Sequence, residues 1–150
     1  MKNTYLKIGV LCLLVFAGAC DKFENQTPPT LEEAVKAIDG TWKISKATRN
    51  GADITTLMDF SQFRISFNPD KTYALDHYLP FAVKSGGTWS LDDPQFPFNL
   101  ELTESGSDET LISTFNYPVV DGKRRIELSF SPGCKNNIYT YTLEKVTSEN

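Results

Sequence analysis

The chain is poor in the residues that most catalysts and metal centres need. It has one histidine, His77, and three cysteines, Cys12, Cys20 and Cys134, in 150 residues. One imidazole cannot build a histidine cage, and no Cys-x-x-Cys pair replaces it. Three scattered cysteines make no disulfide framework. There is no Gly-x-Ser-x-Gly elbow and no glycine-rich phosphate loop. Asp92-Asp93 lacks the spaced oxygen ligands of a calcium loop and reads as a solvated turn. Cys134 and His77 make a thiol nucleophile and its base only if the fold brings them together. The expectation is a protein that is not an enzyme, with no cofactor and no metal.

Basic stripes are also missing. Apart from Lys123-Arg124-Arg125 the cations are scattered, which argues against nucleic acid and against anionic lipid head groups. That run reads instead as a hairpin edge, where charge discourages strand addition. Hydrophobic runs are short too. The longest, residues 8–17, is too brief for a membrane span.

That run nevertheless has a recognisable setting. Lys2 and Lys7 precede it, and the small residues Ala17, Gly18 and Ala19 follow it, directly before Cys20. This is the layout of a secretory signal, residues 1–19. Small residues before a cysteine resemble the lipobox of bacterial lipoproteins, with Ala17 standing where leucine is usual. The resemblance implies that Cys20 becomes the mature N-terminus and carries acyl chains such as palmitate. The alternative is plain cleavage after Ala17-Gly18-Ala19, releasing a soluble chain. Two or more acyl chains hold a protein firmly in a bilayer, where one holds it marginally. Without Lys2 and Lys7, thirteen basic residues face nineteen acidic ones, a net charge of about −6. Cys134 is then a lone free thiol, expected to be partly buried. Residues 20–29 form the lipidated cysteine and a polar tether ending in Pro28-Pro29, with a reach of roughly 30 Å.

Residues 30–150 are expected to form one domain. Thr30 and Glu33 form a capping box, and Leu31, Ala34, Val35 and Ile38 keep a helical period, so the sequence predicts a helix over residues 30–39. Gly40 would end it in a left-handed conformation. The period then switches to alternation. Strands are expected near residues 41–47, 62–67, 72–78, 84–91, 98–103, 109–116, 125–130 and 138–146, with residues 54–60 ambiguous. Asn50-Gly51, Asn68-Pro69-Asp70-Lys71 and Asp121-Gly122 mark the turns. Phe98 is expected to point inward with Leu100 and Leu102. Lys46 has the parity of Trp42 and Ile44, and Arg124 that of Ile126. Short strands joined by tight turns predict an all-β fold, an up-and-down antiparallel barrel of about eight strands. A two-sheet sandwich is the alternative.

The helix, then Gly40-Thr41-Trp42 on the first strand, then about seven more strands resemble the lipocalin and calycin pattern. More narrowly, the chain resembles short bacterial lipoproteins that carry a lipocalin-like domain of unknown function. The resemblance implies that Trp42 packs at the barrel base beside a basic residue, here Arg124, Arg125 or Lys145. Trp89, in the second Gly-Thr-Trp at residues 87–89, joins Trp42 as a base-packing residue. The resemblance also implies a lumen for a small apolar or amphipathic ligand. The candidate lining is Tyr73, His77, Arg124, Tyr139 and Tyr141, aromatic with a few polar groups. Lys46, His77 and Arg124 read more readily as strand-end residues reaching solvent.

Two functions follow as expectations. One is a ligand-binding barrel, tethered through acylated Cys20 to the cell envelope, most simply a Gram-negative outer membrane. The other is a solid barrel that docks onto an envelope protein. The apolar stretch Tyr78, Leu79, Pro80 and Phe81 bears on both, as a lid in the first case and a docking patch in the second. Replacing Cys20 by Ala is expected to abolish incorporation of labelled palmitate and to move the protein from the membrane fraction to the soluble one. Retention of label in that variant would refute lipidation at Cys20.

Overall fold

The computed structural model describes residues 32–80 and 82–147. The signal, Cys20, the tether and Phe81 lie outside the described residues. The barrel belongs to the unit Glu33–Asn150. Among the described residues there are ten strands: β1 (Gly40–Arg49), β2 (Ala52–Asp53), β3 (Arg64–Phe67), β4 (Thr72–Asp76), β5 (Gly87–Leu91), β6 (Asn99–Glu104), β7 (Thr110–Asn116), β8 (Val119–Val120), β9 (Lys123–Phe130) and β10 (Tyr139–Lys145). Strands β1, β3, β4, β5, β6, β7, β9 and β10 pair antiparallel in that order. The β9–β10 and β1–β10 ladders close the ring. This is an eight-stranded, lipocalin-like up-and-down barrel, not a sandwich. β2 and β8 are two-residue strands added outside, on β1 and β9.

Alternation explains the closure. Trp42, Ile65, Tyr73, Trp89, Leu100, Leu102, Phe115, Ile126, Leu128, Tyr141 and Leu143 are buried, with more exposed neighbours between them along each strand. A sheet with one apolar face buries it by curling onto itself, and closing leaves no open edge. The turns follow their residue types. Asn50 (φ 50°) and Asp121 (φ 51°) take the left-handed first position of two-residue hairpin turns. The thinnest seam is β4–β5, with only two register pairs. There Gly87 lies so close to β6 that a Cβ would stand 1.9 Å from the Thr103 carbonyl oxygen.

The base of the barrel is the end where β1 begins and β10 finishes. Here the structure corrects the expected helix. Residues 32–39 have no helical structure, and residues 33–39 run as a strap under the base. Their backbone groups bond to the barrel instead of to one another. Lys36 N–H donates to the Pro94 carbonyl at 2.8 Å, and Gln95 Nε2 donates to the Glu33 carbonyl at 2.8 Å. Tyr117 Oη donates to the Ala37 carbonyl at 2.9 Å, and Trp42 Nε1 to the Ile38 carbonyl at 2.8 Å. A short helix holds few internal bonds and is marginal alone, so these tertiary partners prevail over the capping-box pattern. Ile38 is fully buried, while Val35, its expected neighbour on the helical stripe, is exposed. Gly40 keeps a positive φ, +117°, but as the corner between strap and β1 rather than as a helix cap.

Three smaller expectations also change. A register shift between Ile44 and Lys46 flips the parity of β1, so Ala47 is buried and Lys46 is exposed. Phe98 precedes β6 and is 73% exposed, although Leu100 and Leu102 point inward as expected. Cys134 is exposed in the loop between β9 and β10 rather than partly buried. Trp42 is the largest side chain fully enclosed, and removing it would leave a hole next to Ile38 and Tyr117. Trp42→Ala is expected to cost about 3–5 kcal/mol, measured as a lowered midpoint in urea unfolding.

Candidate functional site

Two regions collect the residues singled out above: the barrel interior and the rim of its base. In the interior, Tyr73, Tyr139 and Tyr141 all point inward and are at least 95% buried. Tyr141 lies between the rings of Phe60 and Phe130, at 5.9 and 5.5 Å, and its Oη donates to the Pro80 carbonyl at 2.9 Å. Tyr139 stacks on Phe130 at 6.1 Å, with the Arg49 guanidinium 5.7 Å from its ring. Tyr73 is different, because its hydroxyl is buried without a hydrogen-bond partner. Burial, reinforced by the charge of Glu104, pushes its pKa up to about 12. Burial raises that of Tyr141 as well.

The top is covered. After β4 the chain turns at His77 (φ 64°), and Leu79, Pro80 and Val83 fold inward while Tyr78 stays exposed. Leu79 N–H donates to the Val83 carbonyl at 2.8 Å, which closes this segment on itself. Of this stretch, Leu79 and Pro80 are therefore folded over the barrel end, Tyr78 is exposed, and Phe81 lies outside the described residues. The five candidate lining residues do not meet. His77 is exposed at the top rim, in a shallow pocket of about 500 Å³ with Ser61, Gln62, Arg64 and Asp76. Arg124 is exposed at the base. Only the three tyrosines share the interior, where they belong to one continuous core with Trp42, Phe67, Trp89 and Phe115.

The base rim holds an open cleft of about 760 Å³. β1 supplies Lys43, the β8–β9 hairpin and β9 supply Lys123, Arg124 and Arg125, and β10 supplies Glu144 and Lys145. Tyr117 forms its aromatic floor, with the fully enclosed Trp42 packed against it. Tyr117 meets Trp42 edge-on, with ring centroids 6.3 Å apart, and stacks on Phe115 at 5.9 Å. Arg124 lies over the Tyr117 ring at 5.2 Å and donates to the Tyr117 carbonyl at 2.9 Å. Lys145 Nζ stands 5.7 Å from the Trp42 ring. This singles out Lys145 among the three candidate base cations. Its stem crosses Gly40, where a Cβ would come 2.7 Å from Lys145 Cε. Glu144 accepts from Lys43 at 3.0 Å and Arg125 at 2.7 Å. The Lys43 hydrogen bond, with the charges of both cations, holds its carboxyl below the usual carboxylate range.

Residues 21–144 match a family described as a domain of unknown function, DUF5004. The chain belongs to the DUF5004 family. No curated protein and no solved structure matches it. In this DUF5004 domain no group of three or more metal-ligating side chains occurs among the described residues. Asp92 has a structural task. Its Oδ1 accepts the N–H groups of Asp93, Phe98 and Asn99, and its Oδ2 the Asn99 side chain, tying the base loop between β5 and β6.

Trp89 is the second base residue expected from the sequence. It packs on Phe67 at 5.5 Å, donates to the Asn68 carbonyl at 3.2 Å and carries Lys71 3.8 Å above its ring. Tyr117 was not singled out by sequence reading. Its one local signal is an aromatic next to Pro118 at the end of a strand, which does not reveal that it supports Arg124.

The two interior phenols make a paired test. Tyr73→Phe deletes an unpartnered buried hydroxyl and is expected to raise stability by about 1 kcal/mol. Tyr141→Phe leaves the Pro80 carbonyl without its donor and is expected to cost about 1 kcal/mol or more. In the unfolded chain both ionise near 10.0; in the folded barrel Tyr73 does so near about 12. Their titration leaves stability untouched below pH 10 and lowers it as pH rises towards 12, because only the unfolded state releases these protons there. Tyr73→Phe should flatten that alkaline decline in denaturant midpoints.

Proposed function

We propose that this DUF5004 protein is a lipid-anchored envelope protein that binds its ligand at the base rim, with the barrel as a solid support. One observation carries the reading. The inward side chains form a continuous packed core, while the cleft beside Trp42 and Tyr117 is open and lined by charged groups from β1, β9 and β10. Ligand sites combine concavity with a few well-placed polar groups. Held cations on an aromatic floor meet that description better than phenols packed between other rings. The lipobox-like residues before Cys20 support the anchoring, and bacterial envelope localisation follows from the same resemblance.

A second reading keeps the ligand inside. It is favoured by the unpartnered Tyr73 hydroxyl and by the lid at Leu79 and Pro80, which would open to admit a small amphipathic molecule. Native mass spectrometry of the acylated protein, extracted in mild detergent and exposed to cell extract, separates the two. A retained small molecule that is lost in Arg124→Ala and kept in Tyr73→Phe is the expected result. A molecule lost in Tyr73→Phe and kept in Arg124→Ala would overturn the rim reading in favour of the lumen.

A further inference from the structure

We propose that the base cleft binds phosphate-bearing groups, an assignment that rests on the rim being the binding site. The chain carries a net charge of −4, yet the cleft brings together five cations and one carboxylate. Gathering like charges costs free energy unless a counter-charge is held among them. Glu144 does not supply it, since its two oxygens are engaged by Lys43 and Arg125. Lys123, Arg124 and Lys145 form no ion pair among the described residues. Two other carboxylates face this end from the strap, Glu33 and Asp39. Glu33 is engaged by Lys36.

Protection of a strand edge explains only part of this cluster. Lys123 and Arg124 lie on the β8–β9 hairpin, but Lys43 and Lys145 sit on strands that are paired on both sides at the base. The cations are also held in place. Arg124 is fixed over Tyr117 by a hydrogen bond to its carbonyl, and Lys145 lies along Trp42. Guanidinium forks and ammonium groups lining one cleft from several strands suit a tetrahedral anion with three free oxygens. A single carboxylate has two oxygens and one charge, which leaves most of the cluster unmatched. The same chemistry is offered by a phospholipid head group and by a soluble phosphate compound.

The test uses the acylated full-length protein in dodecyl maltoside, which contains no phosphate. One arm titrates inorganic pyrophosphate, a second adds phosphatidic acid to the micelles, and citrate is the phosphate-free control. Tryptophan fluorescence reports binding, and the thermal midpoint reports stabilisation by mass action. Saturable binding in either phosphate arm is expected, weakened by about tenfold or more when Lys123→Gln and Arg124→Gln are combined. Both residues are exposed, so the unliganded midpoint of that variant should fall only slightly, through loss of the Arg124 bond to the Tyr117 carbonyl. Response to phosphatidic acid alone identifies lipid head groups; response to pyrophosphate as well identifies soluble phosphates. Equal binding of citrate, or phosphate binding unchanged in the double variant, overturns the proposal. If neither arm responds while an extract-derived molecule still depends on Arg124, the phosphate assignment falls and the rim reading stands. If nothing depends on Arg124, both fall.

Discussion

The bond from the Trp42 indole N–H to the Ile38 carbonyl is the joint on which the base of this barrel depends. It is buried, so neither group has water as an alternative partner, and losing it would strand both. It fixes the strap beneath the barrel and brings Ile38 into the core. The same indole supports Tyr117 along its edge and has Lys145 beside it. Gly40 makes the arrangement possible twice over. Its positive φ turns the chain from strap to strand, and its missing Cβ leaves room for the lysine stem.

The strand pattern was legible because side-chain alternation reports directly on a half-buried sheet. Residues 64–67, 72–76 and 125–130 became strands with the inward faces expected, the last extended back to Lys123 with Arg124 exposed. Turn chemistry was legible for the same local reason, as at Asn50-Gly51 and Asp121-Gly122. The strap was not. Its capping box and apolar spacing describe what residues 30–39 would do alone, while the outcome was decided by Pro94, Gln95, Tyr117 and Trp42. Lys46 reaches solvent as its strand-end reading expected, but its parity with Trp42 and Ile44 is broken because one irregularity in β1 reverses every later side chain, and nothing at Ser45 announces it.

The rim cleft was the least legible feature. Lys43 lies near the start of the domain and Lys145 near its end, and only the β1–β10 ladder makes them neighbours. Read linearly, the chain is acidic with one short basic run. Folded, that run becomes one wall of a concentrated positive field. Tyr73, Tyr139 and Tyr141 show the opposite case. Their parity was read correctly, yet inward parity in a barrel of this size leads to packing among other rings as readily as to a lining.

The most direct measurement of where this protein binds is a set of backbone and indole amide resonances, recorded for the isotope-labelled acylated protein in detergent before and after addition of envelope lipid extract. Binding at the rim predicts shifts concentrated at the Trp42 indole, Lys43, Tyr117, Arg124 and Lys145, with Tyr139 and Tyr141 unmoved. Shifts centred on Tyr73, Leu79 and Tyr141, with the Trp42 indole unchanged, would contradict it and place the ligand inside the barrel.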